Sequence, residues 1–193
     1  MAGIVGLTPG SVFAADYRIL RPLSGGGMGA VYAAEQISTG NLRALKLMHP
    51  HLVEDEALRR RFEREARVGS RIASDHIVQV IAAGIDEPTG TPWIAMEMLE
   101  GETLGAYVER RGALSKGEAA EIIRQLGHAL GAAHAVGVVH RDLKPDNIFI
   151  ASARRSGAEL LVKVLDFGIA KVVAEAKPSA TAKGPGPKSG KKK

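Results

Sequence analysis

Cysteine is absent from the 193 residues. That excludes a disulfide framework and a thiolate zinc site, and it makes a reducing cytoplasm the simplest compartment. A membrane-spanning run is missing too: the apolar stretch Leu126 to Val139 is interrupted by His128 and His134, short of the roughly 18 uncharged apolar residues that a span requires. The first fifteen residues hold no Lys or Arg and are broken by Pro9-Gly10, a pattern that argues against a signal peptide. No internal repeat is present. The body also lacks net charge. Residues 1–171 carry 20 Lys plus Arg against 20 Asp plus Glu, whereas residues 172–193 carry 6 Lys and one Glu, which accounts for the whole formal charge of +5. A neutral body with a basic tail rich in Ala, Lys, Pro, Gly and Ser predicts one core or two small lobes, then a solvated, disordered segment with no specific nucleic-acid partner.

Glycine and hydrophobic periodicity divide the rest. Tyr17 to Leu23, Val31 to Gln36 and Arg43 to Met48 read as strands of an antiparallel meander, with the glycine cluster 25–29 and Thr39-Gly40-Asn41 as turns. Asp55 to Ala73 reads as an amphipathic helix packing a narrow stripe of Leu58, Phe62, Ala66 and Ile72. Two more strands, Ile77 to Ile85 and Trp93 to Met98, precede a short helix at Leu104 to Arg110. Glu118 to Val136 repeats Ile122, Ile123, Leu126, Leu130 and Ala133 at helical spacing and reads as a buried stem. Ile148 to Ala151 and Leu160 to Leu165 form a final hairpin. The organisation predicted is α+β: an extension over 1–16, a five-stranded lobe with one helix over 17–98, a mainly helical second lobe over 99–171, and the tail over 172–193.

Chemistry concentrates in His140-Arg141-Asp142-Leu143-Lys144-Pro145-Asp146-Asn147 and in Asp166-Phe167-Gly168, which begins 24 residues after Asp142. A carboxylate at Asp142 suits alignment of a hydroxyl nucleophile, and Lys144 suits neutralisation of a phosphoryl group. Asn147 and Asp166 offer hard oxygen atoms of the kind Mg²⁺ prefers. These motifs resemble the protein kinase family, in the H-R-D-L-K-P-x-N form of its serine/threonine branch, and Gly26-Gly27-Met28-Gly29-Ala30-Val31-Tyr32 is similar to the loop of its bacterial-type members. The resemblance covers about residues 17–171.

That resemblance implies a protein-kinase-like fold, ATP bound with Mg²⁺ between two lobes, and transfer to serine or threonine of an unspecified protein substrate. Gly26 and Gly29 match the second and third glycines of G-x-G-x-x-G, with Gly25, Gly27 and Met28 completing the loop. Ser24 replaces the first glycine, which implies weakened nucleotide affinity. Lys46 matches the lysine that holds the α- and β-phosphates, with Glu65 as its ion-pair partner and Glu63 as the rival on another helix face. Met96 matches the gatekeeper, Glu97 and Leu99 the hinge backbone that holds adenine, and Val31, Ala44 and Phe149 the residues that sandwich the base. His128 and His134 are too far apart in helical angle to share an ion, and the other histidines read as ordinary surface or packing residues. No Ala-Pro-Glu-like motif follows Asp-Phe-Gly, so the second lobe is expected to be incomplete. A catalytically silent nucleotide-binding or interaction module is therefore the alternative to an active phosphotransferase.

Overall fold

The computed structural model describes residues 6–27, 29–53, 55–69, 72–152 and 160–167, apart from the side chains at 61, 65 and 67–69, and they are built on two sheets. Strands β1 (Val12–Phe13), β2 (Tyr17–Gly26), β3 (Gly29–Gln36), β4 (Asn41–Met48), β5 (Val80–Asp86) and β6 (Thr91–Glu97) form the larger sheet in the order β1-β2-β3-β4-β6-β5, every neighbouring pair antiparallel. The sheet has six strands, not five. The addition is β1, whose two residues are too few for an alternating pattern to register.

Alternation along β4 sorts the two faces. Leu45 and Leu47 join Tyr17, Ile19, Tyr32 and Ala95 in one cluster, while Met48 joins Phe62, Ile94 and Met96 in another. The second cluster seats helix α1 (Glu56–Gly69) through the buried Phe62, together with Leu52 and Val53 of the 3-10 turn Pro50–Val53. The helix is shorter than expected. Ile72 packs instead with Ile77, Val164, Phe167, Ala129 and Ala133. Ile77 likewise does not open β5: it forms a parallel bridge with Val164, flanked by Val78 N donating to Val164 O at 3.0 Å and Val164 N donating to His76 O at 2.8 Å. Residues 72–78 thus tie the large sheet to the second lobe.

That lobe contains β7 (Gly101–Thr103), α2 (Leu104–Arg111), α3 (Lys116–Ala135), β8 (Ile148–Ala151) and β9 (Leu161–Val164), its strands ordered β7-β8-β9. A capping box starts α3: the Ser115 side chain accepts from Glu118 N, and the Glu118 side chain accepts from Ser115 N. The backbone hydrogen bond from Ser115 is the chief cause that lowers the Glu118 carboxyl from 4.5 to about 2. Because its folded value is depressed, this cap is present at neutral pH and lost only as pH falls through about 2.

Helix α3 buries Ile122, Gln125, Ala129 and Ala133. Ile123, expected in the stem, is 67% exposed. Consecutive residues lie about 100° apart around a helix, so Ile122 and Ile123 cannot both centre on one contact. The buried glutamine was not anticipated. Its Nε2 donates to Leu160 O at 2.6 Å and its Oε1 accepts from Val162 N at 2.7 Å, satisfying the outer edge of β9. Gln125→Leu would strand both backbone groups, and its unfolding free energy is expected to fall by about 1–3 kcal/mol in a denaturant titration.

Candidate active site

Strand register forms the roof of a cleft. Val31 lies opposite Lys46, Ala33 opposite Ala44, Ala44 opposite Met96, and Lys46 opposite Ile94. Directly opposed residues share a face, so Val31, Ala44, Lys46 and Met96 stand on the side of the sheet that carries α1. Above them the hairpin pairs Ser24 with Val31, Gly25 with Ala30, and Gly26 with Gly29, leaving Gly27 in the turn and Met28 outside the described residues.

The glycines of this hairpin answer to different demands. A Cβ at Gly25, Gly26 or Gly27 would meet nothing within 4 Å, whereas at Gly29, with φ 152°, it would lie 1.9 Å from Leu47 O. Gly29 is required by the close approach of β3 to β4. Gly29→Ala should therefore lower unfolding stability by about 1–3 kcal/mol, while Gly26→Ala should leave the denaturation midpoint nearly unchanged.

Lys46 Nζ donates to Asp166 Oδ2 at 2.6 Å, with side chains 13% and 25% exposed respectively. The pair joins the roof to the floor of the cleft across 120 residues of sequence. Glu63 is exposed, and the side chain of Glu65 lies outside the described residues. At the back of the cleft Met96 is 8% exposed, and Ala44 and Leu99 pack against the same cluster. Glu97 ends β6, and Phe149, half-buried on β8, lies opposite Lys163 and Thr103.

The floor is a loop held by short bonds. His140 Nε2 lies 2.7 Å from Leu165 O, and His140 Nδ1 accepts from Asp142 N at 3.3 Å. The first contact needs a donor and the second an acceptor, so the ring carries its proton on Nε2. Phe167 sets its ring on His140 in a T-shaped contact, centroids 4.7 Å apart, and Leu165 N donates to Asn147 O at 2.9 Å. Arg141 and Asp166 both adopt left-handed backbone, φ 67° and 60°. Such conformations are costly for non-glycine residues and persist where surrounding contacts impose them.

Asp142 sits at the centre. Its Oδ2 accepts from Lys144 Nζ at 3.0 Å and from Asn147 Nδ2 at 3.1 Å, and Asn147 Nδ2 also donates to Asp142 O at 2.7 Å. The hydrogen bond from Lys144 is the leading cause that holds the Asp142 carboxyl below its usual value, and the same bond raises Lys144. Lys144→Met should let the Asp142 pKa return upward, an outcome read by carboxyl NMR titration. An unchanged or lower value would contradict the pairing. Among the described residues no hydrogen bond engages Asn147 Oδ1 or Asp166 Oδ1. Gly168 lies outside the described residues.

Of the residues singled out by the motifs, Lys46, Asp142, Lys144, Asn147 and Asp166 are linked by these bonds, and the partner that Lys46 meets is Asp166, whereas Met28 and the side chain of Glu65 lie outside the described residues. Sequence reasoning missed the ties made by Glu97, Lys163 and Gln125, for which no local pattern exists.

The protein kinase domain model matches residues 17–185. Serine/threonine-protein kinase Pkn1 of Myxococcus xanthus is 44% identical over 169 residues, covering 88% of this chain and 23% of Pkn1. PknE of Mycobacterium tuberculosis is 39% identical over 161 residues, covering 83% of this chain and 27% of PknE. Among solved structures, the kinase domain of Mycobacterium tuberculosis PknI superposes with a TM-score of 0.72 at 33% identity, covering 86% of this chain and 64% of that one. Rad53 1–466 in complex with AMP-PNP superposes with a TM-score of 0.68 at 29% identity, covering 80% of this chain and 39% of that one. The chain therefore spans about a quarter of the length of the curated relatives it matches. With a kinase-like two-lobed fold and a family model that covers most of its residues, the chain belongs to the protein kinase family, among relatives named as bacterial serine/threonine-protein kinases.

Proposed function

We propose that this chain binds ATP with Mg²⁺ in the cleft between the sheets and transfers the γ-phosphoryl group to a serine or threonine hydroxyl of a protein. One observation carries the reading: Lys46, Asp166, Asn147, Asp142 and Lys144 are joined through a continuous set of bonds, Lys46 to Asp166, Leu165 to Asn147, and Asn147 and Lys144 to Asp142. The AMP-PNP bound in Rad53 supports the nucleotide assignment by analogy.

In this reading adenine meets the backbone of Glu97 and Leu99, with Val31, Ala44 and Phe149 on its faces and Met96 behind it. Backbone amides of residues 24–27 and 29 approach the phosphates, which also draw Lys46 away from Asp166. Ser24 in the first loop position weakens that grip. Glu65 is the candidate to hold Lys46 once Asp166 is released. Asn147 and Asp166 fit a magnesium ion, because each keeps one oxygen clear of internal bonds and Mg²⁺ takes few protein ligands beside phosphates and water. The ion's contribution when bound is to neutralise charge on the phosphate oxygens.

Asp142 accepts a hydrogen bond from the acceptor hydroxyl and orients its oxygen. As that oxygen bonds to the γ-phosphorus, the bond to the β,γ-bridging oxygen breaks, ADP leaves, and the hydroxyl proton passes to Asp142. Lys144 stays beside the transferred group and offsets its charge.

A second reading, a nucleotide-binding module without turnover, draws on the exposure of Ile123 (67%), Val136 (53%) and Val139 (54%), apolar side chains on α3 and the segment leading into the candidate catalytic loop. Incubation of the monomeric chain with γ-labelled Mg·ATP and a generic protein acceptor separates the two. Transfer at about 1 s⁻¹ or faster, the lower end typical of kinases, establishes the enzyme. Nucleotide binding with no transfer establishes the module.

A further inference from the structure

Lys163 is among the least exposed charged side chains in the described ion pairs, and no step of the proposed chemistry uses it. Its Nζ lies 2.7 Å from Glu97 Oε1, with side chains 12% and 26% exposed. Glu97 Oε1 also accepts from Gln79 N at 2.9 Å, and Glu97 N donates back to Gln79 O at 3.0 Å. One carboxylate oxygen therefore joins three segments: the end of β6, the stretch between α1 and β5, and β9. Lys163 precedes Asp166 by three residues on the strand leading into it, and Val164 is itself bonded to His76 and Val78.

A charge pair this well covered is costly to desolvate and stays favourable only while its geometry is held. The geometry held here is the separation between the backbone proposed to bind adenine and the strand that places Asp166. We propose that Lys163 and Glu97 form a strut that sets this separation, which makes Lys163 a positioning residue for the phosphate end of the nucleotide. The proposal rests on the assignment of the cleft to Mg·ATP.

Several consequences distinguish a strut from ordinary packing. A ligand touching only the hinge should not sense its loss, whereas a ligand reaching from hinge to Asp166 should. Lys163→Met in the full chain is expected to weaken Mg·ATP about tenfold while leaving adenosine within about twofold. Lys163→Arg, which keeps a cation in reach, should restore most of the loss. Glu97→Gln keeps an acceptor for Gln79 N but removes the charge, so it should reproduce the Lys163→Met effect, and the double variant should lose no more than either single one.

Calorimetric titration of these variants with Mg·ATP and with adenosine tests the proposal, each variant first checked by its unfolding midpoint. If Lys163→Met does not fold, Glu97→Gln and Lys163→Arg carry the same comparison. Equal loss for the two ligands, full additivity in the double variant, or Mg·ATP affinity unchanged by Glu97→Gln overturns the strut while the cleft assignment stands. Absence of Mg·ATP binding by the unmodified chain overturns both.

Discussion

Lys46→Ala is expected to weaken Mg·ATP binding by at least about thirtyfold in calorimetry, because truncating one member of a covered, hydrogen-bonded charge pair costs about 2–5 kcal/mol. The change acts twice. It removes the cation proposed to meet the phosphates, and in the free chain it leaves the Asp166 carboxylate without the partner it holds at 2.6 Å in the parent. Lys46→Arg should recover part of the loss by restoring charge, though a planar guanidinium does not reproduce the compact ammonium. The unfolding midpoint of the alanine variant separates lost recognition from lost structure. Equal affinity of variant and parent would remove Lys46 from the nucleotide site.

A larger effect on rate is expected at Asp142. Asp142→Asn keeps a side chain of the same shape and one oxygen acceptor, but it can neither take the hydroxyl proton nor carry the charge that pairs with Lys144. Phosphoryl transfer should fall about 10²–10⁴-fold. Mg·ATP affinity should stay within about threefold, well under 1 kcal/mol, since Asp142 is proposed to meet the acceptor hydroxyl rather than the nucleotide. A variant that retained the parent's transfer rate would show that nucleophile orientation lies elsewhere. A variant that lost nucleotide binding as severely as Lys46→Ala would place Asp142 among the nucleotide contacts instead.

Much of this arrangement was legible because glycine and aliphatic periodicity report local backbone demands. The strands expected at 17–23, 31–36 and 43–48 are present as Tyr17–Gly26, Gly29–Gln36 and Asn41–Met48, each running on into glycines or an asparagine read as turn residues, and the run from His140 to Asn147 folds into one loop whose own side chains close it. Other features arise from contacts that no local window contains. Lys46 meets Asp166 across 120 positions, and Glu97 meets Lys163 across 66. Strand β7, Gly101–Thr103, has no apolar alternation at all. It exists because β8 offers a partner and Gly101 has no Cβ to strike Ile150 O, which would lie 2.1 Å away.

Two misses were readable in principle. Ser115-Lys116-Gly117-Glu118 is a capping-box pattern that moves the start of α3 ahead of Glu118, and Ile122 and Ile123 cannot both face one core. Ile77, expected to open a strand running to Ile85, instead forms an isolated bridge to Val164, and β5 begins at Val80. Extended backbone can be anticipated from side chains. The choice of partner is decided by how the lobes pack.

Lys46, Asn147 and Asp166 are proposed to surround one Mg·ATP. The most direct test is the affinity for ATP at fixed ionic strength with and without Mg²⁺, measured by calorimetry on the unmodified chain and on Asp166→Ala. Mg²⁺ is expected to tighten ATP binding by at least about tenfold in the parent, roughly 1.4 kcal/mol, with most of this gain lost in the variant. ATP binding that is indifferent to Mg²⁺ in the parent, or a magnesium gain that survives Asp166→Ala in full, would contradict that placement.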